Sequence, residues 1–384
     1  MKALQPLLEG LRERARAAAK GAEARLESLS EREAALEALR LVRKAGLTTY
    51  MVPERDGGAH AGGLCGPETI STRALCALRD ELAWHHGLLD LMLVEQGLGS
   101  FPISLGGTSE LRAEILPAVA SGSKIAAFAL TEPEAGSNLS DVATRATRTK
   151  QGWRLDGKKT FITNAGIADF YSVLARTRGE PGEEGLSMFY VPAEARGLSV
   201  APFEVLAPHP IGELGFDSVD VPERALLGRE HEGVAIALAT LGRFRAGVAA
   251  AANGMARRAL DESRAHLSQR KQFGRPLATF QALRFDVAEM DVRLRAGQLL
   301  TDEAAELVDE GANATAAVAR AKLFATESAS WICDRAVQHF GGLGVRRGVV
   351  VERLFRETRA LRIYEGTSEI QKLVLARELF GAGG

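Results

Sequence analysis

The period of the apolar positions changes twice along the chain. From the N-terminus, Leu4, Leu7, Leu8 and Leu11 recur at helical spacing, and so do Leu36, Leu39 and Leu41 with Val42. The run Leu82 to Leu98 continues in the same style, while Pro53, Gly57-Gly58 and Gly62-Gly63 mark a loop between helices. Residues 1–125 therefore read as an N-terminal helical domain. Near residue 126 the pattern becomes strand-like. Trp153-Arg154-Leu155 and Lys158 to Ile162 flank Asp156-Gly157, which predicts a hairpin. Phe170 to Leu174 and Ser187 to Val191 are two more strands, and Leu214 to Val221 predicts another, locally broken and stopped by Pro222. Residues 126–235 read as a middle antiparallel β domain. In 236–384 helical spacing returns: Ala246 to Arg264, Leu283 to Leu307, Ala314 to Phe340, and Glu369 to Phe380. The order is helix, β, helix, an α+β multidomain arrangement without an internal repeat.

Charge narrows the classes of partner. Lys and Arg number 48 against 49 Asp and Glu, a net charge of −1. That balance gives no electrostatic reason to expect nucleic acid or an anionic membrane. No apolar run is expected to reach the roughly 18–20 residues that span a bilayer. The charged N-terminus lacks the apolar core of a secretory signal. Cys65, Cys76 and Cys333 have no zinc or CxxC spacing, so no metal site is expected, and so sparse a set suits a reducing cytoplasm.

Four segments carry candidate chemistry. Phe128 to Asn138 mixes turn formers with hydroxyl residues after an apolar stretch, and such a loop can offer donors to a ring or phosphate. Phe161-Ile162-Thr163-Asn164 sets an aromatic beside a hydroxyl at a strand end. Arg270 to Leu277 follows a long helix, with Gly274 and Pro276 expected to end it, and its guanidiniums suit a pyrophosphate. The fourth runs Gln338-His339-Phe340-Gly341-Gly342-Leu343-Gly344 and then Tyr364-Glu365-Gly366-Thr367-Ser368-Glu369-Ile370-Gln371. Glu365 precedes a helix that Thr367 or Ser368 can cap. No GxGxxG follows a strand, so the common dinucleotide fold is not indicated. Taken singly, each segment also has an ordinary structural reading.

Taken in order, they resemble the acyl-CoA dehydrogenase family over nearly the whole chain. The carriers are Thr-Glu-Pro-x-Ala-Gly-Ser, Ile-Thr-Asn, Arg-Lys-x-Phe-Gly and Tyr-Glu-Gly-Thr-Ser-Glu-Ile-Gln. The resemblance implies an N-terminal helical domain, a middle β-barrel-like domain and a C-terminal four-helix bundle, assembled as a homotetramer or a dimer. It implies FAD as cofactor. Phe128, Leu130, Thr131, Gly136 and Ser137 would lie along the flavin, Phe161 would pack on its ring and Thr163 would bond its edge. Arg270, Gln272, Phe280 and Gln281 would reach the FAD of a neighbouring subunit, and Gln338, Gly341 and Gly342 its ADP half. Thr367 and Glu369 would meet phosphate or ribityl groups. Ser137, Phe244, Arg245, Tyr364 and Gly366 would contact an acyl-CoA substrate.

The implied reaction is α,β-dehydrogenation to a trans-2-enoyl-CoA, with Glu365 as base and an electron-transfer flavoprotein as acceptor, within fatty acid metabolism. Some relatives carry the base in the helix around Leu241 to Arg245; that position is Phe244 here, which cannot take a proton. Residues 89–98 and Phe244 are candidates to line the acyl pocket, with Gln96 its polar member, and Arg243 and Arg245 keep a dicarboxylic chain open. Asn138 and Leu343 depart from the family's usual Asp and Asn, and the stretch from Pro202 to Gly212 is short and lacks basic residues. An acyl-CoA oxidase or another flavoenzyme on this fold is the first alternative; a non-catalytic acyl-CoA-binding protein is the second.

Overall fold

A computed structural model describes residues 4–182 and 184–381. The helices, among these residues, are α1 (Gln5–Ala19), α2 (Ala22–Glu27), α3 (Glu31–Lys44), α4 (Thr72–His85), α5 (Gly87–Gly106), α6 (Ser109–Ala120), α7 (Gly233–Gln269), α8 (Gln281–Asp309), α9 (Thr315–Phe340), α10 (Val350–Leu361) and α11 (Ser368–Phe380). The strands are β1 (Ala126–Ala129), β2 (Arg145–Arg148), β3 (Gly152–Thr163), β4 (Phe170–Arg176), β5 (Leu186–Pro192), β6 (Leu198–Pro202), β7 (Ile211–Pro222), β8 (Leu226–Leu227), β9 (Lys271–Gln272) and β10 (Arg275–Pro276). Two compact units cut across this order. One holds the chain up to Glu27, Thr72–Asp90 and everything from Arg245 onward; the other holds Ser28–Ser71 and Leu91–Phe244.

The second unit is built on a sheet of order β6-β7-β3-β2-β4-β5-β8, with β1 beside β4. β4 pairs in parallel with both β1 and β2, so the sheet is mixed where an antiparallel one was expected. Parallel neighbours need a long connection, and the chain from β1 through β2 and β3 supplies it. One side of the sheet buries Trp153, Leu155, Tyr171, Phe189 and Leu214; another apolar cluster joins Phe170, Leu174 and Met188 to Ile103, Leu116 and Ile236.

The expected hairpin at Asp156-Gly157 does not form. β3 runs unbroken through both residues, and its register to β7 slips between Leu155 and Gly157. Gly157 has φ 147°, and a Cβ there would lie 2.6 Å from Thr144 Oγ1. Asp156 Oδ1 accepts a hydrogen bond from Ser218 N at 2.7 Å, and Ser218 itself has φ 54°. Asp-Gly here makes a β-bulge, which uses the same residue types as a tight turn. The break anticipated within Leu214 to Val221 is this bulge seen from β7.

The first unit packs α8 and α9 with α1, α4, α10 and α11 around alanines of α7, Ala249, Ala252, Ala256 and Ala259 among them. Small side chains let helix backbones approach: a Cβ on Gly254 would sit 2.1 Å from Asp80 O. Three further expectations need correction. The helical run Leu82 to Leu98 is two helices, broken at His86, whose Nδ1 accepts from Leu88 N at 3.1 Å. α7 ends at Gln269, before Gly274 and Pro276; the chain then forms a two-residue hairpin through Phe273 (φ 52°) and Gly274 (φ 77°), the mirror-image turn that suits strand twist. α10 was missed, because its polar surface hides the buried Val351, Leu354 and Leu361. Finally, α5 and α7 are long and apolar enough to cross a membrane, contrary to expectation. The apolar stretch of α5 is 89% buried inside the protein, which is where its apolar surface goes.

Candidate active site

Glu365 lies in the turn between α10 and α11, in the left-handed region at φ 51°, followed by Gly366 at φ 96°. A non-glycine residue there costs on the order of 1–3 kcal/mol and persists only where its surroundings over-determine it. Here they do. Arg245 Nε, on α7, donates to the Glu365 carbonyl oxygen at 2.7 Å. Lys322 Nζ, on α9, donates to the Gly366 oxygen at 2.7 Å, and Gln371 Nε2 donates to the same oxygen at 3.0 Å. Thr367 Oγ1 accepts from Ile370 N at 3.3 Å and caps α11 as expected. Glu327 accepts from Arg362 Nε at 2.8 Å and from Ser368 Oγ at 2.5 Å, tying the turn's two ends together.

The peptide is gripped on every side, yet the carboxylate is left alone. Glu365 Oε2 is out of contact with solvent and has no hydrogen-bond partner, although the residue as a whole is half-buried. Burial raises its pKa above the ordinary Glu value; Arg79, Arg245 and Lys322 oppose the rise, and Asp90 adds to it. Burial also pushes Lys322 down to about 8, against the pull of Glu365. A buried, unbonded carboxylate with raised pKa has the properties of a general base.

The second unit holds the other candidates. Phe128 and Leu130 alternate with buried Ala127 and Ala129, so both are half-buried on the same face. The loop that follows is anchored by Glu132. Its Oε1 accepts from Lys159 Nζ at 2.8 Å and Thr144 N at 3.0 Å, and its Oε2 from Ala143 N at 2.7 Å. Lys159 also donates to Leu130 O at 2.9 Å. Thr131 is half-buried, and Gly136 and Ser137 are exposed beyond this clamp. Phe161 is 61% exposed at φ 55°, where the register of β3 slips again, and its ring meets Phe203 edge-on. Thr163 Oγ1 lies 2.8 Å from His209 Nε2. Burial lowers His209 to about 4, so the ring is neutral at physiological pH. Phe244 is fully buried against Phe101, and a Cβ on Gly97 would lie 2.4 Å from its ring, so the alternative base position is filled by packing.

Elsewhere in the first unit, Arg270, Gln272, Gln281 and Gln338 are exposed and Phe280 half-buried beneath the Arg275 guanidinium. Nothing lies within 4 Å of a Cβ built on Gly341 or Gly342. Tyr364 is half-buried, and Glu369 is exposed in the first turn of α11. In the second unit, Arg243 Nη1 donates to Ile70 O at 3.3 Å. The sequence reading missed Lys159, Lys322 and Arg79 as parts of the site. Their signal was a cation at a core position of an amphipathic pattern: Arg79 falls four residues after the buried Leu75 and one after the buried Leu78.

Family models for the acyl-CoA dehydrogenase N-terminal, middle and C-terminal domains match residues 6–123, 127–219 and 231–380. The chain belongs to the acyl-CoA dehydrogenase family. It is 36% identical to cyclohexane-1-carbonyl-CoA dehydrogenase of Geobacter metallireducens over 346 residues, 89% of each chain. It is similar to the butyryl-CoA dehydrogenase structure of Megasphaera elsdenii, with a TM-score of 0.89, 32% identity and 97% of each chain covered. A glutaryl-CoA dehydrogenase of Mycobacterium smegmatis in complex with FADH2 superimposes with a TM-score of 0.85 at 27% identity, covering 98% of this chain and 95% of that one. The chain is accordingly an FAD-dependent oxidoreductase that dehydrogenates acyl-CoA thioesters. Its residues fit the cofactor. Within the second unit, the exposed, strained Phe161 and the half-buried Phe128 and Leu130 offer apolar surface to a planar ring, and Gly136 leaves open space where a Cβ would stand.

Proposed function

We propose that this protein converts a saturated acyl-CoA to its trans-2-enoyl-CoA, with Glu365 removing the α-proton. The observation that carries this reading is the unpartnered, buried Oε2 on a turn whose main chain is held by Arg245, Lys322 and Gln371. FAD, when bound, would supply the two-electron, hydride-accepting chemistry. The rest is done by side chains. Glu365 is kept dry, which brings its basicity toward that of an activated α-carbon. Arg245 holds its carbonyl oxygen and Lys322 that of Gly366, so the carboxylate keeps its aim without a bond to either cation. The backbone N–H of Glu365 is the donor proposed for the thioester oxygen as enolate character develops. Phe161, Thr163, Phe128, Leu130, Thr131, Gly136 and Ser137 are assigned to the flavin ring and its edge, and Thr367 and Glu369 to its ribityl and phosphate groups.

Further parts of the reading concern assembly and context. Phe285, Val292 and Leu299 recur every seven residues on α8 at 62%, 67% and 53% exposure. Such a stripe is suited to a facing helix, which supports a homotetramer or dimer in which Arg270, Gln272, Phe280, Gln281, Gln338, Gly341 and Gly342 serve a neighbour's FAD. An electron-transfer flavoprotein is the proposed acceptor, in a cytoplasmic route of fatty acid metabolism.

The test is anaerobic mixing with acyl-CoAs. Wild-type holoenzyme should lose its visible flavin band, and Glu365→Gln should keep FAD and bind acyl-CoA while losing most of that bleaching. A base of this kind contributes about 10²–10⁴-fold. Bleaching of the variant at the wild-type rate would remove Glu365 from the role. Rapid reoxidation of the reduced wild type by air would make the protein an oxidase.

A further inference from the structure

The end of β3 carries a contact that the reaction just described leaves unused. Thr163 Oγ1 lies 2.8 Å from His209 Nε2, and both residues belong to the second unit. Pro208 and Pro210 flank His209. A residue before proline is biased to extended backbone, so the imidazole is presented on a stiff segment. That segment is pinned around the ring. His209 N donates to Glu31 Oε1, at the start of α3, at 3.0 Å, and Asn164 N donates to Pro210 O at 2.6 Å. Phe203, near its other end, meets Phe161 edge-on with ring centroids 5.3 Å apart.

The chemistry of the pair leaves one direction open. A neutral imidazole has one donor and one acceptor, and a hydroxyl has one donor and two lone pairs. Burial keeps the His209 ring neutral at physiological pH. Its Nδ1 has no hydrogen-bond partner among the described residues, so the Thr163 contact governs where the ring proton sits. Thr163 is half-buried, and its hydroxyl has no partner but His209. Phe161, two residues earlier, is 61% exposed, with Ile162 buried between them. A planar ring resting on Phe161 therefore has its edge within reach of Thr163. The edge of an oxidised flavin offers a nitrogen and a carbonyl oxygen, both acceptors. Thr163 must then donate outward, which leaves its oxygen to accept from His209 Nε2–H.

We infer that His209 is a positioning residue for the flavin, donating from Nε2 to Thr163 Oγ1 and so fixing that hydroxyl as a donor to the ring edge. This rests on the assignment of Thr163 to the ring edge under the proposed function. The action of His209 runs through Thr163 alone. Two donors in series point the same way, and the first polarises the second. Donation to the edge favours the electron-rich reduced ring over the oxidised one, so the pair raises the reduction potential of the bound cofactor.

The experiment is a double-mutant cycle on the FAD-loaded protein, read as the flavin reduction potential by equilibration with a reference dye. Thr163→Val should lower the equilibrium constant for reduction by about tenfold, the worth of one hydrogen bond. His209→Leu should lower it in the same direction, and the double variant should match Thr163→Val alone. His209→Gln, whose amide N–H can also donate to Thr163, should recover most of the wild-type value. A histidine that merely pins its segment would lower Tm in His209→Leu without moving the potential, or would add its effect to that of Thr163→Val; either result overturns the inference. A crystal structure of the FAD-loaded wild type answers without any variant. Thr163 Oγ1 should lie within about 3.2 Å of both His209 Nε2 and a ring-edge atom, and loss of the His209 contact there overturns the inference as well. If Thr163→Val leaves the potential unchanged, the assignment of Thr163 to the ring edge falls first, and this inference with it, while Glu365 is judged separately by flavin bleaching.

Discussion

Arg245 Nε donates to the main-chain oxygen of Glu365 at 2.7 Å, so the arginine holds the peptide of the proposed base and not its carboxylate. Burial lowers the Arg245 pKa and Glu365 partly restores it, which makes the pair sensitive to loss of either member. Arg245→Gln should loosen the turn while leaving FAD in place. Displacing a reacting group by about 1 Å can cost on the order of 10²-fold, so kcat should fall by about that factor with little change in flavin content. Rapid-mixing reduction of the flavin measures the first and absorbance per protein the second. A variant with wild-type kcat would mean that the turn needs no such anchor.

Glu365 should also leave a signature in stability against pH. Its folded-state pKa is raised above the ordinary 4.5. The folded protein therefore binds its proton more tightly than the unfolded chain does, and that contribution is present below 4.5 and lost as pH rises through the folded value. Glu365→Gln does not titrate. The variant's Tm should thus gain on that of the wild type between acid and neutral pH, and calorimetry at several pH values reads the difference. In activity, the same raised pKa places the rising limb of kcat/KM above 4.5.

The Lys159–Glu132 pair fixes the loop that leads to Ser137. Burial pushes Lys159 down to about 8. Glu132 is held below the ordinary carboxylate range by Lys159, Thr144 and Ala143 even though burial opposes this, and that is the direction its bonds support. Lys159→Met leaves the carboxylate buried beside two amides only. Breaking a buried pair at one partner costs about 3–5 kcal/mol. Chemical denaturation should register a loss of that size, together with weaker FAD retention on gel filtration. Because the Glu132 pKa is lowered, its contribution is present above 4.5 and lost as pH falls through the folded value.

His209 ties the Thr163 hydroxyl to the segment before β7. Its pKa falls from 6.5 to about 4 on burial, so its folded-state contribution is complete above 6.5 and lost as pH falls toward 4. His209→Phe should flatten stability over that window and free Thr163. A shift in the visible flavin spectrum at neutral pH would report the freed hydroxyl; an unchanged spectrum would separate Thr163 from the ring edge.

Much of this architecture was legible in the chain. Apolar spacing gave the long helices, the middle β region and the helical C-terminus, because burying one face leaves a period that survives in sequence. It misled wherever one residue type serves two geometries. Asp156-Gly157 fits a tight turn or a bulge, and only the β7 register, with Ser218 opposite, chooses the bulge. His86 caps the start of α5 by accepting from Leu88 N, which no periodicity records. The alanines that made α7 look like an ordinary buried helix also made it apolar enough to resemble a membrane span.

The sequence alone determined the family motifs, the position of Glu365 and the exclusion of Phe244 as a base, since those depend only on which residues stand in which order. Only the tertiary structure decided what surrounds Glu365. The cations that hold or tune it come from α4, α7 and α9, at positions 79, 245 and 322, distant in sequence and joined by packing. Desolvation and unpaired atoms exist only once the chain is folded. The unpaired Nη1 donor of Arg79 is therefore a property of three dimensions, written in sequence as one arginine among leucines.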